Sequence, residues 1–321
     1  MRNLLATIVA GAALGLSPGA LGQSYPTKPI KIVVPFAVGG IADTFARVIA
    51  QKVTEAWGQP VVVENKAGAG GNIGADLVAK SPPDGYTLVM GSIGTHAVNP
   101  HLVKNMPYDA QKDFVPIAHV LEAEGLLVVN PSVAAKSVPE LIAAAKSQPG
   151  RLSYASAGVG TASHLAGELF KIMAGVDMTH VPYKGNSPAI TDVMGGQAQM
   201  IFATMPTVIQ QAKAGRLRPI AVIGAARAKA VPDIPTVAET LPGFEVGNWV
   251  GLFAPAGTPP EIVKRWNAEV QKIMTSADVE PRLEAEGARF VPTTPESFAA
   301  FQRSESARWG KMIREAGIKV E

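Results

Sequence analysis

The sequence predicts an α/β protein of two lobes with a central ligand cleft and hinge crossings, and three observations carry that prediction. Short β-branched runs alternate with amphipathic stretches nearly throughout, the βαβ pattern of parallel sheets with helices on both faces. About 300 residues remain once an expected leader is removed, more than one hydrophobic core usually serves. A Pro- and Gly-rich stretch, residues 232–257, carries an apolar run at 249–254 and reads as a return crossing between lobes.

Arg2, an apolar run over residues 4–16 and the small-x-small triplet Ala20-Leu21-Gly22 predict an export signal over residues 1–22, hence a periplasmic mature chain. No later segment offers about 18 consecutive apolar residues, so no membrane span is expected. Strands are predicted at residues 30–35, 61–64, 86–90 and 126–130, then at 152–156, 180–183, 200–203 and 219–223. Between them, residues 43–57 place Phe45, Val48, Ile49 and Val53 on one helical face, and Leu165, Leu169, Ile172 and Met173 repeat the pattern. Ser137 with Glu140, and Thr258 with Glu261, match the S/T-x-x-E capping pattern with Pro in the first turn. The helix from Glu261 buries a stripe of Ile262, Trp266, Val270 and Ile273, and residues 297–316 read as a final surface helix. The first lobe is therefore expected to be discontinuous, residues 23–124 plus 250–321, with residues 125–249 forming the second.

Composition removes whole classes of function. Charged residues at 17% against 47% hydrophobic describe a folded chain. The formal charge of +3 becomes +2 when Arg2 leaves with the signal, too little for a nucleic-acid partner, while a mild positive field favours a small anion. Without cysteine there is no thiol catalysis, no cysteine metal site and no disulfide. The sequence contains no G-x-S-x-G elbow, H-E-x-x-H helix or Walker loop. His96 and His101 stand five apart without a third ligand, so no metal is expected.

Function must then lie in loops that leave strands and enter helices, where glycine admits close approach and helix starts offer unpaired N–H groups. Phe36, Gly39, Gly40 and Asp43 mark the first such loop; Asp43 reads either as a complement to the helix dipole or as a ligand contact. A cluster from Gly68 to Gly74, including Asn72, breaks the G-x-G-x-x-G spacing at Ile73; no dinucleotide or other cofactor is expected, and it reads as a turn packed near the cleft. Ser156, Gly160, Thr161, Ala162 and Ser163 form the loop of the second lobe. Its hydroxyls and its N–H groups from Thr161 onward are expected to converge on one anionic oxygen pair, with N-capping by Thr161 or Ser163 as a compatible role. Ser92, Thr95 and Thr204 follow predicted strands and would line the same cleft.

Ordered motifs then resemble one family across essentially the whole mature chain. Tyr25-Pro26-Thr27-Lys28-Pro29-Ile30, the Pro35–Asp43 loop with Arg47, Gly70-Gly71-Asn72-Ile73-Gly74, Pro82-Pro83-Asp84-Gly85-Tyr86, Ser156–His164 and Val181-Pro182-Tyr183-Lys184-Gly185 are similar to the tripartite tricarboxylate transporter substrate-binding proteins, the Bug family. The resemblance implies a periplasmic binding protein type II-like fold, likened to a Venus flytrap, that closes over a small organic carboxylate. It implies membrane permease subunits of a tripartite transporter as partners and no catalytic residues. Phe36, Gly39, Gly40 and Asp43 would line one jaw, and Ser156, Thr161, Ala162 and Ser163 the other. Many relatives carry an acid where Thr204 stands, a departure that bears on which ligand ends are accepted. The expected function is a monomeric extracytoplasmic receptor delivering a carboxylate to a permease. Its alternatives are a receptor that signals to a sensor partner and an exported hydrolase of carboxylate esters using the Ser163 region.

Overall fold

The structure, a computed structural model, describes residues 25–318, so the export signal expected over residues 1–22 lies outside the described residues. Eleven strands are formed among them: β1 Ile30–Val34, β2 Val61–Asn65, β3 Thr87–Ser92, β4 Phe114–Ala123, β5 Gly125–Val129, β6 Ser153–Ser156, β7 Thr179–Pro182, β8 Met200–Thr204, β9 Arg218–Val222, β10 Asn248–Pro255 and β11 Ala288–Arg289. They make two sheets, one per lobe, ordered β11-β4-β10-β3-β1-β2 and β7-β6-β8-β5-β9.

Neither sheet is wholly parallel, which corrects the pattern read from the sequence. β1 runs parallel to β2 and β3, but β10 enters antiparallel to β3 and β4. In the second sheet β6 is parallel to β7 and β8, whereas β5 is antiparallel to β8 and β9. β10 and β5 are the strands at the crossings; β11, also reversed, pairs antiparallel to β4. A single residue, Glu124, separates β4 from β5; its N–H donates to Gly287 O in one lobe (2.9 Å) and its carbonyl accepts from Met205 N–H in the other (2.8 Å). The chain returns where Val246 N–H, still bonded to Ile223 O in the second lobe, passes through Gly247 into β10.

The helices bury what their spacing dictates, with instructive exceptions. Phe45, Ile49 and Val53 of the helix Ile41–Trp57 are fully buried, as is Trp266 of Pro260–Met274. On Ala162–Ala174 the inner face is Leu165, Ala166, Leu169 and Phe170, while Ile172 is 45% exposed. The final helix, Pro295–Ala316, is not a surface layer: Phe298 and Trp309 are fully buried and it packs against β4. Each such side chain stabilises the fold by about 1.5–3 kcal/mol relative to exposure. The Ser137 cap forms, but Thr258 Oγ1 bonds Pro255 O instead, leaving Pro259 as an uncapped start.

Candidate functional site

In each sheet the strand order reverses beside the strand that feeds a helix, β1 between β2 and β3 and β6 between β7 and β8. Loops leaving the carboxyl ends of strands at such switch points diverge and leave a crevice. The two crevices face each other across a cavity of about 60 Å³, room for roughly four waters or one small organic acid. Phe36, Gly40, Ile41 and Ala42 line it from the first loop, Ser92 and Ile93 from β3, Thr161, Ala162 and Ser163 from the second-lobe loop, and Phe202 and Thr204 from β8. Asn186 and Asn248 complete the wall.

Four helices begin at this cavity: Ile41–Trp57, Ala162–Ala174, Asn186–Met194 and Met205–Lys213. None has a side chain capping its N-terminus. Their first-turn N–H groups lack intrahelical acceptors and carry the positive end of the helix dipole, although in Met205–Lys213 the Met205 N–H is taken by Glu124 O and Pro206 has none. The lining includes no Asp, Glu, Lys, Arg or His. The field inside is therefore supplied by backbone and neutral side chains, and the helix starts bias it toward an anion.

Of the residues singled out in the sequence, Phe36, Gly40, Ser92, Thr161, Ala162, Ser163 and Thr204 line the cavity, whereas Gly39, Asp43, Asn72, Thr95, Ser156 and Gly160 stand behind it and shape the loops. Asp43 is 2% exposed and saturated: Oδ2 accepts from Gly39 N–H at 2.9 Å, and Oδ1 accepts from Arg47 Nη2 and Asn65 Nδ2 at 2.9 Å. Burial pushes this carboxyl up, but the bonds from Arg47, Gly39 and Asn65 outweigh it and hold it below the usual carboxylate range. Asn72 Oδ1 accepts from Asn99 Nδ2 (2.7 Å) and from the Tyr108 hydroxyl (2.9 Å), and Thr95 Oγ1 accepts from Ser92 N–H (3.0 Å).

The second loop spends its hydroxyls on itself rather than aiming them at one anion. Thr161 Oγ1 donates to Gly158 O (2.6 Å), Ala157 N–H donates to Ser163 Oγ (2.8 Å), and Gly158 N–H donates to Ser156 Oγ (3.1 Å). Thr161 N–H is also taken, by Gly158 O, so the free donors start at Ala162 and not at Thr161. Two imidazoles complete the scaffold: His164 Nδ1 accepts from Gly160 N–H (3.2 Å), and His180 Nε2 lies 2.6 Å from Ser156 Oγ. Burial pushes both imidazoles down, His180 to about 4, with His164 adding to the effect on His180. The Ser156–His180 pair is turned away from the cavity and Ser156 is fully buried. Ser163, which does reach the cavity, contacts Ala157 N–H and Thr161 Oγ1 and no imidazole, so no adjacent base activates it.

The jaws touch. Ala37 N–H donates to Lys184 O across the lobes (2.9 Å), and Ser187 Oγ donates to Val38 O (2.8 Å). At Gly70 (φ +63°) any Cβ would overlap the Val159 carbonyl of the opposite lobe, and at Gly160 (φ +76°) it would overlap the Asn99 amide. Both positions need glycine for conformation and for approach. Asn186 and Asn248 were not anticipated. The one available signal was the recurrence, at Gly185-Asn186, of the strand–glycine–helix pattern seen in the other loops.

Known proteins share this two-lobed architecture. The family model described as tripartite tricarboxylate transporter family receptor matches residues 45–318. Protein BugT of Bordetella pertussis is 37% identical over 324 residues, covering 100% of this chain and 99% of its own. Among solved structures, an adipate-bound protein of R. palustris superposes with a TM-score of 0.89 at 38% identity, covering 92% of this chain and 99% of that one. MatC of Rhodopseudomonas palustris with bound malate gives 0.87 at 35%, covering 90% and 100%. Neighbours of this kind are periplasmic binding proteins rather than enzymes.

Proposed function

The chain belongs to the tripartite tricarboxylate transporter family of receptors, and we propose that it captures a small organic carboxylate between its lobes outside the cytoplasm and presents it to the membrane permease subunits of such a transporter. One observation carries this reading: uncapped helix starts surround a cavity without a charged side chain, with free first-turn donors on Ile41–Trp57, Ala162–Ala174 and Asn186–Met194. Burying a carboxylate is costly unless its oxygens are hydrogen-bonded, and first-turn N–H groups meet that need without a counter-ion. The adipate and malate held by related structures support the carboxylate class. Among the described residues no helix is long and apolar enough to cross a membrane, and the leader over residues 1–22 would direct export.

In this reading Phe36, Gly40, Ser92, Ala162, Ser163 and Thr204 contact the ligand, and Asp43, Ser156, His164 and His180 hold the loops that do so. The lobes, expected as residues 23–124 plus 250–321 and residues 125–249 but with Asn248 and Trp249 in the first sheet's β10, would swing about Glu124 and Gly247 as a monomer. The jaw-to-jaw bonds at Ala37 and Ser187 would form on closure. Thermal denaturation against a panel of aliphatic and aromatic carboxylates, each paired with its neutral amide, tests the reading. A carboxylate should raise the melting temperature and its amide should not, since a native-state ligand stabilises by mass action. Equal shifts for acid and amide would refute an anion site.

A further inference from the structure

One corner of the cavity has a polarity that a carboxylate does not match. At the carboxyl end of β8, three neutral side chains from distant segments meet: Thr204, Asn186 and Asn248. Asn248 Nδ2 donates to Thr204 Oγ1 at 3.1 Å, and Asn186 Nδ2 approaches the same oxygen at 3.4 Å. An alcohol oxygen has two lone pairs and one proton, so with both acceptor positions met by amides the Thr204 proton is left to give. Asn186 Oδ1, by contrast, is buried and has no donor in reach. The corner thus holds one free donor beside one unpartnered acceptor, which is enclosed in this form and which a ligand reaches only by shifting the Asn186 side chain.

Resting on the carboxylate-receptor reading, we propose that Asn186 and Thr204, braced by Asn248, form a subsite for a neutral group that both donates and accepts, so that the preferred ligand is a carboxylate bearing a hydroxyl. A second carboxylate has no proton for Asn186 Oδ1, an ammonium has no lone pair for the Thr204 hydroxyl, and an alkyl end leaves both unpaired. A primary amide shares the donor–acceptor character and is the isostere that should bind next best. Turning the Asn186 amide by half a revolution would exchange its free acceptor for a donor and favour a diacid, so the two orientations make opposite predictions.

Calorimetric titration with matched acids decides between them. Butyrate, 4-hydroxybutyrate and succinate differ only at their far end, and shorter and longer sets of the same design cover chain length. In the best-fitting set the hydroxylated acid should bind about tenfold tighter than the alkyl acid and the diacid, the effect of a hydrogen-bonding site on an analogue that leaves it unpaired. In Asn186→Ala and in Thr204→Val the hydroxyl-to-alkyl ratio should fall to within about threefold, the scale of a single weak contact. That ratio is taken on one folded variant and is independent of how much protein folds. A diacid that binds tightest, or a ratio unchanged in both variants, overturns the subsite while leaving the carboxylate reading intact. No binding of any carboxylate removes that reading and the subsite with it.

Discussion

In the first lobe, the loop that opens the helix Ile41–Trp57 is fastened by an ion: Asp43, clasped by Arg47 and Asn65, holds Gly39 N–H from below. In the second lobe, the loop that opens Ala162–Ala174 is fastened by neutral imidazoles, with His164 accepting from Gly160 N–H and His180 against Ser156. Both jaws present an uncapped helix start to the same cavity. Their fasteners make opposite demands on protonation, because Asp43 must be charged to accept its bonds and His164 must be uncharged at Nδ1 to accept its own. A loop that presents an uncapped helix start can thus be held by either kind of group, provided the group is buried, partnered and kept out of the cavity.

Removing the ionic fastener should produce the largest effect. Asp43→Ala orphans Gly39 N–H and two partners at a position 2% exposed, and should lower stability by about 2–3 kcal/mol, discounted for the half-exposed Arg47. Urea unfolding with an unchanged midpoint would show that the first jaw needs no such clasp. Next comes Ala162→Pro, which removes the first free donor of the second jaw. Proline suits this first helical position, and Thr161 before it already has the extended backbone (φ −81°, ψ 162°) that proline requires. Carboxylate affinity should fall roughly 10–100-fold with melting preserved, the value of one charge-assisted hydrogen bond; retained affinity would place the anion on the other jaw.

Acid separates the two fasteners directly. An imidazole held below its unfolded value of 6.5 contributes stability in full above pH 6.5 and loses it as pH falls through about 4, the value at His180. Asp43, held below 3.8, keeps its contribution throughout that window. Amide exchange followed as pH falls below 6.5 should therefore show Gly160, held by His164, losing protection before Gly39 does. Parallel loss at both would mean a shared opening. Overall melting is a poorer probe, since His96 and His119 in the first lobe are also pushed down, to about 3 and about 4, by burial. The smallest effect belongs to Ser187→Ala, which deletes one partly exposed bond between the jaws. It should weaken ligand binding about two- to fivefold through closure alone, and an unchanged dissociation constant would remove that bond from the latch.

The jaws were legible in the sequence because strand, glycine and helix start adjoin within a dozen residues; the parts assembled from distant segments were not. β4 was missed since Phe114–Ala123 contains Pro116, which ordinarily argues against an interior strand. The fold accommodates it with a register shift between Leu252 and Phe253 of β10, on a stretch of β4 that β11 does not reach. The hydroxyls of Ser156 and Thr161 were rightly placed in the loop but wrongly aimed, because a sequence does not say whether a hydroxyl faces its own backbone or the cavity. Asn186, Thr204 and Asn248 come from three segments, and only the tertiary structure puts their polar atoms in one corner.

A cavity walled without formal charge also sets how the occupied molecule behaves in an electric field. Nothing in the lining neutralises an incoming anion or titrates to compensate it, so each carboxylate bound at the proposed site would subtract its full charge from a chain whose formal total is only +3, or +2 without the expected leader. If the proposed carboxylate binds, full and empty forms differ in isoelectric position and in retention on an ion exchanger, and the proposed permease would meet two molecules of different electrostatic character.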